Sequence, residues 1–164
     1  MCFRFESTVP LVRETVFAFH ENPQHLKLVY AGWSNIRLLK HVNQVRVGVE
    51  TWIEITLLGF LPMVLGFRHN LFEPPVRFGE RAIQGPFSSF VHLHEFEELH
   101  GETLMRDLLE VRLPWHYGGE TAVRLIVAPC INRMFDNRAR ALDRLVREGI
   151  MTRCTAHKQF LKGN

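Results

Sequence analysis

The chain has 164 residues, 46% of them hydrophobic and 23% charged, with a formal net charge of +3 and a pI near 9.0. That length supports one domain with its own core and is short for two. So small a positive excess makes no case for nucleic acid, and no helix-turn-helix, zinc-finger or RNA-recognition signature accompanies it, so no nucleic-acid partner is expected.

Residues 2–8 alternate as a strand, with Phe3 and Phe5 on one side and Arg4 and Glu6 on the other. Charges this early leave no apolar stretch of the kind a signal peptide needs. No later apolar run approaches the roughly 20 residues that cross a bilayer, so a cytoplasmic location is expected. Pro10 ends the strand and opens a helix carrying Val12, Val16 and Phe19 at helical spacing. Asn22-Pro23 starts a second short helix, Asn as cap and Pro at the first position, which fades near Ala31-Gly32.

From Ser34 to Pro114 strand follows strand. Residues 34–40 form a short one. Residues 45–58 form a long one, with Val45, Val47, Val49, Thr51, Ile53, Ile55 and Leu57 on a single face. Gly59 to Pro62 is a turn, and residues 64–73, 76–84, 87–98 and 103–113 complete the series, separated by Pro74-Pro75, Gly85-Pro86 and a polar turn. The connections are too short for crossover helices, so the sheet is antiparallel. After Gly118-Gly119, residues 120–148 read as one helix with an apolar stripe through Val123, Val127, Ile131, Met134, Phe135, Leu142 and Leu145. Pro129 should kink it. Residues 1–149 are therefore expected to form the domain, and 150–164 a mobile tail. Cys2, Cys130 and Cys154 are odd in number, far apart and without C-x-x-C spacing, which argues for free thiols in a reducing compartment.

The fold class is α+β: a curved antiparallel sheet of about seven strands gripping a long C-terminal helix, with two short helices after the first strand. One helix cannot fill such a sheet, and the gap left over is where a small apolar ligand would go.

The last three strands give the lining of that gap. Period-two parity puts Phe78, Glu80, Ala82 and Gln84 on the face shared by Phe90, His92, His94 and Phe96, joined by Thr103, Met105, Asp107, Leu109, Val111 and Leu113. Two carboxylates and two imidazoles thus enter an apolar interior, where each needs a partner. They could form a purely structural network. They could orient a carbonyl or hydroxyl of a bound apolar molecule. They could hold a metal, since H-x-H puts both rings on one face about 7 Å apart. They could also move a proton as a His–Asp pair. No fourth metal ligand is evident, so no metal and no cofactor is expected. On the last helix Arg133, Arg140, Arg144 and Arg147 form a solvated stripe, balanced in part by Asp136 and Asp143; its other use would be transient contact with an anionic membrane.

The order of elements resembles the START-like superfamily, which has the helix-grip fold and includes birch-pollen allergens, polyketide cyclases and coenzyme-Q-binding proteins. The nearest resemblance is to its bacterial single-domain branch, often labelled cyclase/dehydrase-like. It is carried by Val16-Phe17-Ala18-Phe19-His20, Gly59 to Pro62, Phe78-x-Glu80 and Gly85-Pro86-Phe87. Phe90-x-His92-x-His94-x-Phe96, Gly101-x-Thr103 with Asp107, and Pro114 complete it, over residues 3–147. Where the branch often has Trp, Asp, a second Gly and Tyr, this chain has Phe90, Glu80, Glu102 and Val111. The first two reshape a cavity; the last removes a phenol from the final strand. The resemblance implies a small carrier or sensor for a lipid, quinone or polyketide-like molecule. Its ligand contacts would be Phe67, Phe78, Glu80, Phe90, His92, His94, Phe96, Met105 and Asp107. The alternatives are a cyclase or dehydratase working through His92, His94 and Asp107, and a protein-interaction module with a vestigial cavity.

Overall fold

The computed structural model describes residues 1–31, 36–40, 44–57 and 61–155, with the backbone alone at Leu57. Strand β1 (Cys2–Val9) alternates as its sequence dictates, Phe3 and Phe5 inward and Arg4 and Glu6 outward. Helix α1 (Arg13–His20) buries Val16, Phe17 and Phe19. Asn22 caps the next turn, its Oδ1 accepting the Gln24 N–H at 3.0 Å, and the 3-10 turn Pro23–His25 runs into α2 (Leu26–Val29).

Six more strands follow: β2 (Ile36–Lys40), β3 (Glu50–Leu57), β4 (Leu61–Glu73), β5 (Arg77–Gln84), β6 (Ser89–Leu99) and β7 (Glu102–Arg112). All pairings are antiparallel, in the order β1-β7-β6-β5-β4-β3-β2. The register at the centre is set by a two-residue hairpin turn. His100 and Gly101 both have positive φ (52° and 85°), the backbone that suits the twist of a tight hairpin. That turn brings Leu99 opposite Glu102, and counting back from it puts Phe96 opposite Met105, His94 opposite Asp107 and His92 opposite Leu109.

The chain then makes a 3-10 turn, Trp115–Tyr117, and enters a continuous rod: α3 (Gly119–Ala122), a π turn Val123–Val127 and α4 (Ala128–Arg147). The kink expected at Pro129 takes this form. Pro129 stands in the first turn of α4, and the wider π turn before it accommodates the missing N–H. The rod lies against the sheet through Val123, Ile131, Phe135, Leu142 and Leu145, all buried. Phe5 stacks on Phe135 with ring centroids 4.0 Å apart. At one end Phe17 packs edge-on against Phe78 and Phe96 at 5.8 and 5.2 Å, closing the core.

Four expectations need correction. Leu61 and Pro62, read as part of a turn, open β4 and pair with β3. Residues 45–49 do not belong to β3. Val45 is buried, with its N–H bonded to the Glu21 carbonyl at 2.8 Å, while Val47 is 65% exposed, and Gly48 (φ 87°) turns the chain just after it. Gln84 faces solvent, because the β4–β5 register shifts at Gly66/Phe67. The tail does not start at residue 150: residues 150–155 are helical, and Met151 is fully buried in the core. A one-residue slide on a strand inverts its facing, and a single buried methionine anchors a short helix; neither is visible as periodicity. The side chain of Leu57, expected to face inward, lies outside the described residues, as do residues 32–35, 58–60 and 156–164.

Candidate functional site

The sheet, α1, α2 and the C-terminal rod enclose a cavity of about 960 Å³. Its wall is largely apolar: Ile53, Leu65 and Phe67 from β3 and β4, Phe90 from β6, Ile131 and Met134 from α4. Leu61, Tyr117 and Ile126 line it yet are 49%, 56% and 43% exposed, so they mark its mouth. Trp115 (87%) and Leu125 (66%) stand exposed in the same segment of chain.

One side of the cavity is polar. Sheet register creates it: His69 on β4 pairs with Glu80 on β5, and Glu80 with His92 on β6. His92 Nε2 donates to Asp107 Oδ1 at 3.0 Å, and His92 Nδ1 lies 3.7 Å from Glu80 Oε1. His69 Nε2 is 3.6 Å from Glu80 Oε2 and 3.3 Å from the Thr51 hydroxyl. His94 Nδ1 comes within 2.6 Å of Asp107 Oδ1 but off the line a hydrogen bond requires. The His92 and His94 rings sit 3.8 Å apart. Behind them Arg138 of α4 closes on Asp107 Oδ2 at 2.6 Å, both side chains 5% exposed.

These contacts set the protonation states. Burial raises the Asp107 carboxyl, but the Arg138 guanidinium and then the two histidines outweigh it and hold it well below the carboxylate range. Glu80 is likewise raised by burial and then drawn down to about 2, chiefly by its contact with His92 and by His69. Burial alone would lower His92; Asp107 and Glu80 overcome it and raise it above its ordinary value. His94 is lowered to about 4 by burial and by the adjacent His92 charge. His20, at the end of α1, donates from Nδ1 to the Val16 carbonyl at 2.8 Å, and its Nε2 is buried with no partner among the described residues. Burial first, and Arg138 second, lower it to about 3, so it is a neutral acceptor in the wall. The Tyr30 phenol, also in the wall, is pushed up to about 12 mainly by burial.

Of the residues singled out in the sequence, Phe67, Phe78, Glu80, Phe90, His92 and His94 line the cavity. Phe96 and Met105 do not: they are 2% and 1% exposed and pack into the core with Phe17 and Phe78. Asp107 stands one layer back, behind the imidazoles. Arg133, Arg140, Arg144 and Arg147 are all exposed, with Arg147 paired to Asp143 at 2.8 Å.

Several wall residues escaped the sequence reading, Tyr30, His69, Arg138 and His20 among them. His69 was within reach, since it follows Phe67 by two on β4. Arg138 also left a signal: it falls three residues after Phe135 and four before Leu142, inside the apolar stripe, where a charge needs a buried partner. His20 left none, because only the docking of α1 turns it inward.

No family model and no curated protein matches the chain. Solved structures do. Protein Ms6760 from Mycobacterium smegmatis is 12% identical, with 90% of this chain and 92% of that one covered, at a TM-score of 0.69. TTHA0849 from Thermus thermophilus is 14% identical over 91% and 99%, also at 0.69. Ara h 8.0201 is 12% identical over 90% and 98%, at 0.62. The chain has the helix-grip fold. At such identities the likeness concerns architecture alone, and the site must be argued from its own residues. Among the described residues, no helix is long and apolar enough to cross a membrane.

Proposed function

We propose that this helix-grip protein binds a hydrophobic small molecule in its cavity and acts as a carrier or sensor. The observation that carries the proposal is the cavity itself: about 960 Å³, apolar over most of its wall, with polar groups gathered on one side. That volume is at the upper end of the range of ligand sites, which run to roughly 1,000 Å³, and suits a lipid, quinone or polyketide-like molecule. The ligand's apolar body would lie against Phe67, Phe90 and Ile53. An oxygen of its head group would meet Tyr30, His20 or the His92–His94 pair. The exposed apolar mouth around Tyr117 and Ile126 gives such a molecule a way in. The arginine stripe would help by resting on an anionic membrane from which the ligand is collected.

A cyclase or dehydratase reading uses the same residues and is less well supported. Its base would be the His92–Asp107 pair, but Asp107 is committed to Arg138, and His94 is held too acidic to take a proton efficiently near neutral pH. A vestigial cavity sits poorly with a void of this size.

The binding reading is tested by plugging the cavity from opposite walls, with Ile55→Trp and Met134→Trp. Titration of a solvatochromic apolar dye should show saturable binding to the wild type. Each plug should weaken it by about tenfold or more, a loss of about 1.4 kcal/mol, with circular dichroism unchanged. A wild type that fails to bind the dye, or folded plug variants that bind it as tightly, would contradict the proposal.

A further inference from the structure

The polar wall carries an electrostatic deficit. Glu80 and Asp107 bring two negative charges into the interior, and Arg138 supplies one positive charge, spent on Asp107 at 2.6 Å. Glu80 is left over. Opposite it, His92 uses its Nε2–H on Asp107, so in the neutral ring Nδ1 is a bare lone pair facing a carboxylate oxygen 3.7 Å away. The gap between that nitrogen and the carboxylate is one that a cation would fill: a proton on Nδ1, or a metal ion.

We propose that Glu80, His92 and His94 bind one divalent transition-metal ion of the zinc type, with its remaining coordination position open to the cavity. One donor atom from each of the three lies within 4.8 Å of the other two. A tetrahedral zinc with bonds near 2.1 Å separates its ligands by about 3.4 Å, so Glu80 and His92, 3.7 Å apart, already stand near coordinating distance, and His94 lies within 4.8 Å of both. Two imidazoles and a carboxylate suit zinc and its neighbours rather than magnesium or calcium. The support behind the ligands is in place too. Asp107 accepts from the far nitrogen of His92 and is itself fixed by Arg138, the carboxylate–histidine arrangement that orients a ligand ring and raises its basicity.

The ligands sit on adjacent strands, Glu80 directly across from His92 and His94 two residues on, so the backbone holds the triad without a flexible loop. His69 on β4 touches the far oxygen of Glu80, and Phe78 stacks beside His94 at 4.4 Å. All three proposed ligands line the cavity, so the open position faces whatever occupies it: water, or an oxygen of the bound molecule. A proton carried on His92 Nδ1 is released to solvent when the metal binds there. The site does not require that an apolar ligand be present.

The test uses untagged full-length protein, stripped with chelator and titrated with Co²⁺ at pH 7.5. The expected result is a visible ligand-field band that saturates at one equivalent and is bleached by Zn²⁺. Zn²⁺ should also raise Tm. Glu80→Gln and His94→Ala should abolish the band, Asp107→Asn should weaken binding by about 10–100-fold, and His116→Ala, at the exposed turn before α3, should leave it unchanged. At pH 5 the affinity should drop by about tenfold or more through proton competition. If a ligand variant does not fold, the wild-type Tm shift and its loss at pH 5 decide the matter. A wild type that shows neither band nor Tm shift overturns the proposal, as does a band that survives in folded Glu80→Gln and His94→Ala. Dye binding that persists in that case leaves the carrier reading standing.

Discussion

Replacing Arg138 by methionine should destabilise the protein by about 3–5 kcal/mol, because it strips a buried carboxylate of its counter-charge while leaving the carboxylate in place. Asp107 is 4% exposed and meets the Arg138 guanidinium at 2.6 Å. Asp107→Asn should cost a similar amount by leaving the guanidinium buried and unpaired. The double variant Asp107→Asn/Arg138→Met should be clearly less damaged than the sum of the singles, with a coupling of about 2 kcal/mol or more. The reason is local neutrality: once both are gone, Glu80 and a protonated His92 still balance each other across 3.7 Å. Chemical denaturation of the four proteins, with equal m-values, is the measurement. Additive losses would mean that the pair is not an isolated unit and that Arg138 serves the cavity in another way.

Acid should unfold the metal-free protein well before its carboxylates titrate. His20 and His94 are buried neutral, with values lowered to about 3 and about 4, against about 6.5 in an unfolded chain. A depressed group gives stability that is whole above the unfolded value and is lost as pH falls toward the folded one. Between pH 6.5 and pH 4 each histidine should therefore remove on the order of 2–3 kcal/mol. His92 has the opposite sign. Its value is raised, so its contribution is present below about 6.5 and is lost as pH rises through the folded value. Glu80 and Asp107 begin to cost stability only as pH falls below about 4, through their depressed values. The net expectation, with chelator present, is a steep loss of stability from pH 6.5 to 4. His20→Leu should flatten that slope by about half while keeping the helix. A denaturation midpoint that does not move across that window would mean that the two rings are already charged or solvated in the folded state.

The sequence made the two-faced strands legible because alternation is a local property. Phe90-x-His92-x-His94-x-Phe96 must point one way, and the hairpin at His100-Gly101 then fixes Asp107 opposite His94. The helix stripe was legible for the same reason. What resisted was set by partners far along the chain. Phe96 and Met105 share the inward face with His92 and Asp107, yet α1 covers them, so they are core rather than cavity. Arg138 interrupts the apolar stripe of its helix, but its partner Asp107 shows only in the assembled fold. Val45 to Gly48 continues a β pattern but is drawn away by a hydrogen bond to Glu21. The tail hides one methionine that turns its first residues into a docked helix. Parity says which way a side chain points; only the assembled fold says what is waiting there.

Native mass spectrometry of the protein purified from its own host, followed by solvent extraction, tests most directly whether the hollow between sheet and helix is a binding site. A released apolar molecule that fits about 960 Å³, and that is absent from the Ile55→Trp and Met134→Trp preparations, is the expected result. Repeated extractions that release nothing, from protein that also ignores apolar dyes, would contradict it.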